Sequence, residues 1–573
     1  MTIVADVASR RAALAERFST WPQRTLSVAF DDAVARFPNR TMFVNEQGGW
    51  TYAAMQDWSR RLAKGLLAWG VKRGDHVALL MANYSEFVAL KLAIARVGAV
   101  TIPINFNLRG EELRYIIDQS DAVLLLTMKS FREHDYVDDL DTLAPGWRNG
   151  TSAALPTLRE VVVRTVEEGR DTGLRSIDAL EALGNDVDEE VLRAAEEAGE
   201  ADSNCDILYT SGTTGRPKGV MLSHDMVLRA AYASALHRAF EDGRSMLHAL
   251  PMYHVFGYIE CLVASWYVGG KVVTQLTFEA ETFLDLAEEH RITDLVALPN
   301  MTMKLLDTVS RRGFDSSALL CVFNSGGVNP PSIWRDIRAW LKPVEMHTGY
   351  GMSETTASTV SSLPEGDDAQ LATSNGRYKI AGAAGDPATG GHTAEYKVVD
   401  PESGQVMPFG QIGELMARGP VVTTGYYGKP DETAAAFTDG WLHTGDLGRL
   451  TEDGYLTLTG RLKESYRCGG EMVMPREVEA LFDDHPDIAL ALAVGVPDSK
   501  MGEVGCLCVV PKAGSDPDPA SLLALVASRL ARFKVPRHVL ILSADEIPMT
   551  STGRPQKVKL AEMAARILAA AAD

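Results

Sequence analysis

Between residues 77 and 126 apolar runs and helical runs take turns: VALLM, a helical stretch over 85–97, AVTIPI, the helical GEELRYIIDQ, then AVLLL. Short apolar runs separated by segments of helical length predict strands joined by helical crossovers, hence a parallel sheet covered by helices. The rhythm returns near residue 295, where DLVALP leads into a helical stretch, and LLCVFNSGG and VEMHTGYG read as strands ending in glycine turns. In open α/β sheets ligands sit at such turns, outside the carboxyl ends of the strands. A length of 573 residues leaves room for about three or four compact units. After about Arg461 long apolar helices give way to short units, so a boundary is expected at 462–463, with domains 1–462 and 463–573. No repeat, low-complexity tract or Ser/Gly linker marks that point, which predicts a tight hinge rather than a tether. The expected class is α/β: a large N-terminal domain of layered, mostly parallel sheets with helices, and a small α+β C-terminal domain.

Charge narrows the choice of partners. Lys+Arg 56 against Asp+Glu 76 gives a net charge of -20, which disfavours nucleic acid or anionic lipid as a partner of the bulk surface field. An anionic ligand must then be held by a local site. Residues 186–202 carry eight acids and one arginine at helix-compatible spacing, and read as a solvated surface helix. The six cysteines are scattered, and Cys506 and Cys508 alternate inside an apolar run that reads as a strand, which suits a reduced, cytoplasmic protein. The start, MTIVADVASRRAALAERF, has no 7–15-residue apolar core after its charges, and no window of about 18 apolar residues follows. A soluble, unexported chain without a transmembrane segment is expected.

The densest local signal is LYTSGTTGRPKG at 208–219. Its glycines let backbone N–H groups turn toward one point, Thr210, Ser211, Thr213 and Thr214 add hydroxyl donors, and Arg216 and Lys218 bring positive charge into an acidic protein. This is a phosphate cradle. It is not a Walker A loop, because Pro217 stands where that motif needs the glycine before its lysine.

With that loop the chain resembles the adenylate-forming superfamily of acyl-CoA synthetases, aryl-CoA ligases, peptide-synthetase adenylation domains and beetle luciferase. Eight more segments follow in the family's order: PMYHVFG at 251–257, NSGG at 324–327, HTGYGMSETT at 347–356, WLHTGD at 441–446, GRLKE at 460–464, RCGGEMVMPREVE at 467–479, RFKVP at 532–536 and PMTSTGR at 548–554. The resemblance implies a carboxylic acid–CoA ligase using ATP and Mg²⁺, which forms an acyl-adenylate and then a thioester with coenzyme A. It also implies a C-terminal domain that rotates about Lys463.

The residue roles it implies are these. Thr210, Ser211, Gly212, Thr213, Thr214, Gly215 and Lys218 hold the β- and γ-phosphates, and Ser353 reaches the α-phosphate. Glu354 binds Mg²⁺. Gly326 and Gly327, with the Gly349-Tyr350-Gly351 turn, frame the adenine, on which Tyr350 stacks. Asp446 accepts from the ribose hydroxyls with Arg461 nearby, unless Asp446 merely caps a turn. After rotation Gly469 and Gly470 approach the pantetheine arm. His254 lies next to the acyl carboxylate, or is a satisfied core histidine.

Three positions depart from the family's wording. Gly257 follows Phe256 where α-amino-acid-activating domains carry an aspartate, which argues against an amino-acid substrate. Glu260 falls where the acyl-pocket wall is built. A buried unpaired carboxylate there would cost several kcal/mol, so it either faces solvent or finds a donor on the substrate or on a neighbour. Arg554 stands where the family has its adenylation lysine, and Lys557, three residues on, is no assured substitute. The expected substrate is a medium- or long-chain fatty, or ring-bearing, acid. The rivals are an acyl–carrier-protein ligase and a low-turnover acyl-adenylate-binding protein, the latter motivated by Arg554. Oligomeric state stays open.

Overall fold

The 77–126 rhythm folds into strand His76–Leu80, helix Ser85–Arg96, strand Val100–Pro103, helix Gly110–Gln119 and strand Leu124–Met128, with the three strands parallel. The computed structural model describes residues 6–150, 152–164, 173–210, 216–326, 329, 332–469, 471–550 and 555–570. Helix Gly110–Gln119 buries Leu113, Ile116 and Ile117, the one face that i, i+3, i+4 spacing can present to a sheet. Helix Ser85–Arg96 is buried on all sides, so its two cations need partners. Lys91 pairs with Asp206, and Arg96 with Asp31 and Glu196.

Two seven-stranded sheets dominate the N-terminal domain. In one, Ser245–His248, Lys271–Thr274, Asp294–Ala297, Cys321–Asn324 and Glu345–His347 run parallel, with Thr41–Asn45 joining Lys271–Thr274. In the other, Asn204–Thr210 lies beside Val100–Pro103 and pairs antiparallel with the edge strand Lys218–Ser223. A third sheet, antiparallel, is built from Glu395–Val399, Gly413–Arg418, Phe437–Thr438, Trp441–Leu450 and Leu456–Arg461. The sequence reading did not anticipate it, because its alternation is interrupted by glycines and turns.

Two local expectations change. Gly349–Gly351 is a short strand rather than a turn, paired with Ser358–Ser361. A Cβ on Gly351 would lie 2.0 Å from the carbonyl oxygen of Ala357, so only glycine lets the two backbones meet there. The acidic segment does form a helix, Glu189–Glu197, but it is fastened rather than merely solvated: Leu192 is buried, and Glu189 and Glu196 pair with Arg60, Lys64 and Arg96.

The separate C-terminal domain has its own sheet of Tyr466–Cys468, Glu471–Val473, Ile488–Asp498, Gly502–Pro511 and His538–Ile541. Strand alternation sends Cys506 and Cys508 to one face, against Leu560 and Ala564 of helix Lys557–Ala570. Leu507 and Val509 go to the other, against Leu522 and Val526 of helix Pro519–Arg529. All six cysteines of the chain are free and buried. Among the described residues no helix is long and apolar enough to cross a membrane.

Candidate functional site

Tyr350, Asp446 and Arg461 arrive from three strands and meet. Asp446 and Arg461 are cross-strand partners of Trp441–Leu450 and Leu456–Arg461, and the Arg461 Nε lies 3.1 Å from Asp446 Oδ1. The Tyr350 hydroxyl donates to Asp446 Oδ2 at 2.8 Å. Asp446 therefore sits inside a ten-residue strand, and the turn-capping alternative does not hold. Its charge holds the Arg461 guanidinium above the usual arginine range, while burial raises the Tyr350 phenol. Ser325 of the NSGG segment joins the group: its hydroxyl donates to the Gly349 carbonyl at 2.9 Å and accepts from the Gly349 N–H at 3.2 Å. That brings Gly326, at φ +88°, alongside Gly349–Gly351.

Glu354 lies in the single turn Ser353–Thr355, with Ser353 half-buried beside it. The next residue, Thr356, takes φ +65°, a conformation a β-branched residue holds only where its surroundings impose it. Here its hydroxyl donates to the Val421 carbonyl at 2.6 Å, and the Thr423 N–H donates to the Glu354 carbonyl at 2.8 Å. The Glu354 carboxylate accepts from the Tyr426 hydroxyl at 3.1 Å, and burial raises its pKa. The Lys218 ammonium lies 4.8 Å from the centre of the Tyr426 ring. Among the described residues no basic side chain forms an ion pair with Glu354. A buried carboxylate left without a cation is a donor that suits Mg²⁺, which takes one or two carboxylates together with phosphate oxygens.

The segment expected to cradle phosphate joins Asn204–Thr210 to Lys218–Ser223, with Thr210 opposite Lys218. Ser211, Gly212, Thr213, Thr214 and Gly215 lie outside the described residues, but the stem is anchored. The Tyr115 hydroxyl donates to the Pro217 carbonyl at 3.3 Å, the Arg216 guanidinium lies 5.2 Å from the Tyr115 ring centre, and the Tyr209 hydroxyl donates to Gln119. Tyr115, Gln119, Ser325 and Tyr426 were all missed by sequence reasoning. Ser325 and Tyr426 carried local signals, the NSGG motif at 324–327 and the glycine-flanked GYYG at 425–428.

In the segment expected to border the acyl group, His254 is exposed, and its Nδ1 accepts from the Phe256 N–H at 3.3 Å, which removes the core-histidine alternative. The segment Phe256–Val263 winds as a π-helix, a rare form found mostly at functional sites. Phe256 packs edge-on against Phe323, ring centres 5.2 Å apart, and a Cβ on Gly326 would lie 3.7 Å from the Phe256 ring and 2.7 Å from Leu298. Gly257 is required by packing, since a Cβ there would come within 2.9 Å of the Leu250 carbonyl oxygen and 3.0 Å of that of Pro251.

Glu260 does not face solvent: it is 1% exposed. Nor does it wait for a donor on the substrate, because Lys379 Nζ lies 2.8 and 3.1 Å from its two oxygens, Ser234 and Ser358 donate to them, and the Arg238 guanidinium stands 4.0 Å away. The neighbour, among the three alternatives, is the one realised.

In the C-terminal domain Gly469 takes φ +62°, while Gly470 and Arg554 lie outside the described residues, as does Gly327 in the N-terminal domain. Lys463 is exposed in the turn Leu462–Glu464, its ammonium held below the usual lysine range by partial desolvation and by Lys218. Lys557 Nζ lies 2.7 Å from Glu479 and 3.6 Å from Glu464.

Comparison with known proteins places this arrangement. The model of the AMP-binding enzyme family matches residues 30–427, and that of the AMP-binding enzyme C-terminal domain matches 477–554. The chain is 33% identical over 548 residues to a 7a-methyl-1,5-dioxo-octahydro-1H-inden-4-yl propanoyl:CoA ligase of Mycobacterium tuberculosis, covering 94% of this chain and 99% of that one. It is 30% identical over 549 residues to the mitochondrial medium-chain acyl-CoA ligase ACSF2 of Danio rerio, covering 94% and 88%. The solved o-succinylbenzoate CoA synthetase of Bacillus subtilis, in complex with its acyl-adenylate intermediate, matches with a TM-score of 0.76 at 26% identity over 93% of this chain and 97% of that one. Because the matches run nearly end to end, this chain belongs to the AMP-binding enzyme family and is an ATP-dependent acid–thiol ligase, joining a carboxylic acid to coenzyme A through an acyl-adenylate.

Proposed function

We propose that the acid is apolar at its far end: a medium- or long-chain fatty acid, or a ring-bearing one. The observation that carries this is Glu260. The one carboxylate on the acyl-side helix is spent on Lys379, Ser234 and Ser358, so it asks no donor of the substrate. What faces Gly326 is Phe256 and Leu298. The names of the two curated relatives, one of a fused-ring propanoyl acid and one of medium-chain acyl groups, support the same class.

In the first step a carboxylate oxygen attacks the α-phosphorus of ATP, and the bond to pyrophosphate breaks. Residues 210–218 hold the β- and γ-phosphates, Lys218 neutralises charge there, and Ser353 reaches the α-phosphate. Gly326, Gly327 and the Gly349–Gly351 strand frame the adenine, Tyr350 packs on it, and Asp446 with Arg461 holds the ribose. Positioning and charge neutralisation supply most of such a rate enhancement. Mg²⁺, when bound by Glu354, offsets phosphate charge. His254 borders the acyl carboxylate, and Arg554 supplies the cation between carboxylate and α-phosphate. In the second step the thiolate of CoA attacks the acyl carbon and AMP leaves. Domain 463–573 turns about Lys463 for this, presenting Gly469 and Gly470 to the pantetheine arm. A carrier-protein thiol is the alternative acceptor.

A carboxylic-acid panel scored by acid-dependent pyrophosphate release, with product masses taken on CoA and on an acyl carrier protein, tests the reading. Plain alkyl and alicyclic acids are expected to lead and the CoA thioester to accumulate. Turnover only of acids bearing a distal hydroxyl or amine would overturn it.

A further inference from the structure

We propose that Glu260 and Lys379 form a buried clamp that positions the adenine-side strand Gly349–Gly351 for adenylation, acting through its partner strand Ser358–Ser361. The inference rests on the adenine reading given above. Its starting point is an irregularity: Tyr350 faces Val360, but Gly351 faces Ser358, so the register shifts and Thr359 is an extra residue bulged out of the pair. Bulges re-aim neighbouring side chains and leave ladder groups needing partners elsewhere.

Here one partner is the Glu260 carboxylate and the other is the main chain of Lys379, next to the paired strand Arg377–Tyr378. The Ser358 N–H donates to Glu260 Oε1 at 2.9 Å, and its hydroxyl donates to the same oxygen. The bulged Thr359 carbonyl accepts from the main-chain N–H of Lys379 at 3.0 Å, so the lysine that pairs with Glu260 is itself anchored to the bulge. The Lys379 ammonium closes the circuit on Glu260, at 2.8 and 3.1 Å. Ser234 donates to Glu260 Oε2, and Arg238 donates to the Glu260 carbonyl at 3.2 Å, which fixes the clamp to the helix His224–His237 and its C-cap. An ionised carboxylate offers about four acceptor sites, and all are engaged.

Stability alone is a poor account of this arrangement. A fully buried ion pair gains little over well-packed apolar side chains of similar size, because desolvating both charges offsets their attraction. What charges supply and methyl groups do not is direction: a fixed acceptor for the Ser358 N–H, which sets where the bulge lies. Since Glu260 sits four residues after Phe256 on the π-helix, the clamp also ties the acyl-side helix to the nucleotide-side strand.

The test is the double variant Glu260→Leu/Lys379→Met, which removes both charges and orphans neither. Thermal unfolding and the separate KM values for ATP and for the acid are measured by pyrophosphate release, alongside Tyr350→Leu, which leaves the clamp intact. The clamp predicts a protein that still folds, with a melting temperature lowered only by the Ser234 and Ser358 donors left without an acceptor, KM for ATP raised about tenfold, as a loss of about 1.4 kcal/mol of positioning would give, and KM for the acid little changed. A folded double variant with the parent's KM for ATP overturns the clamp. Should it not fold, Ser358→Ala decides: it deletes one donor from a half-buried strand residue, and a rise of KM for ATP of about threefold is expected from one hydrogen bond, with no rise overturning the proposal. A rise in Tyr350→Leu but not in the clamp variants overturns the clamp alone, and no rise in any of them overturns the adenine reading together with it.

Discussion

Lys557 is the lysine nearest in sequence to Arg554, and it is already committed: Glu479 lies 2.7 Å and Glu464 3.6 Å from its ammonium. Moving it to a phosphate would leave Glu479, 5% exposed, without its cation, which is costly for a buried carboxylate. The adenylation cation is therefore expected to be Arg554. Arg554→Ala should remove about 2–4 kcal/mol of transition-state stabilisation from acid-dependent pyrophosphate release, whereas Lys557→Met should lower the melting temperature and leave that rate nearly intact. Arg554→Lys probes the fit, since a rigid fork and a rotatable ammonium are not interchangeable: faster release would mark the native arginine as a brake, and slower release a site shaped around it. Loss of adenylation in Lys557→Met with none in Arg554→Ala would reverse the assignment. The sequence shows which residue types stand at these places but not who answers them. Glu479 is remote from Lys557 along the chain, and Glu260 from Lys379 by 119 residues, so their pairing exists only after folding.

The parallel sheets were legible because burial on both faces forces continuous apolar runs, and helical crossovers leave a length signature between them. The antiparallel sheet of Glu395–Val399 to Leu456–Arg461 was not, since glycines and loops break its alternation. The setting of the glycine-rich segment was not legible: the strands that flank it, Asn204–Thr210 and Lys218–Ser223, pair antiparallel at a sheet edge, where a glycine-rich phosphate loop more often leads from strand into helix. Gly257 is the instructive case at this scale. Its lack of a side chain was read as absence of an amine-binding aspartate, and the structure adds a packing cause, the Leu250 and Pro251 carbonyl oxygens at 2.9 and 3.0 Å from a Cβ. Gly257→Asp is accordingly expected to yield poorly folded protein with a lowered melting temperature, rather than an amino-acid-activating enzyme. Recovery of a stable variant that releases pyrophosphate with α-amino acids would show that the helix start can shift to make room.

At the level of the whole molecule, acid should loosen the fold before it silences any single group. His224 and His237 are held down to about 3 and His248 to about 4, in each case mainly by burial. His237 also uses its neutral Nδ1 to accept the Ile380 N–H at 3.0 Å. In the unfolded chain these imidazoles return to about 6.5. Between that value and their folded values the unfolded state binds more protons, so stability is fully present above pH 6.5 and falls as pH drops, by up to about 1.4 kcal/mol per pH unit for each histidine. Urea unfolding at pH 7.5, 6 and 5 is expected to show a falling midpoint, with a shallower fall in His237→Gln. A midpoint independent of pH across that range would contradict the buried-neutral assignment. Finally, the six free thiols divide evenly: Cys205, Cys261 and Cys321 lie in the N-terminal domain, and Cys468, Cys506 and Cys508 in the C-terminal one, all shielded. A maleimide therefore reads the protein as a pair of clocks. Each set becomes labelled only when its own domain breathes open, and peptide mapping after a short pulse would time the two openings separately, with no engineered probe.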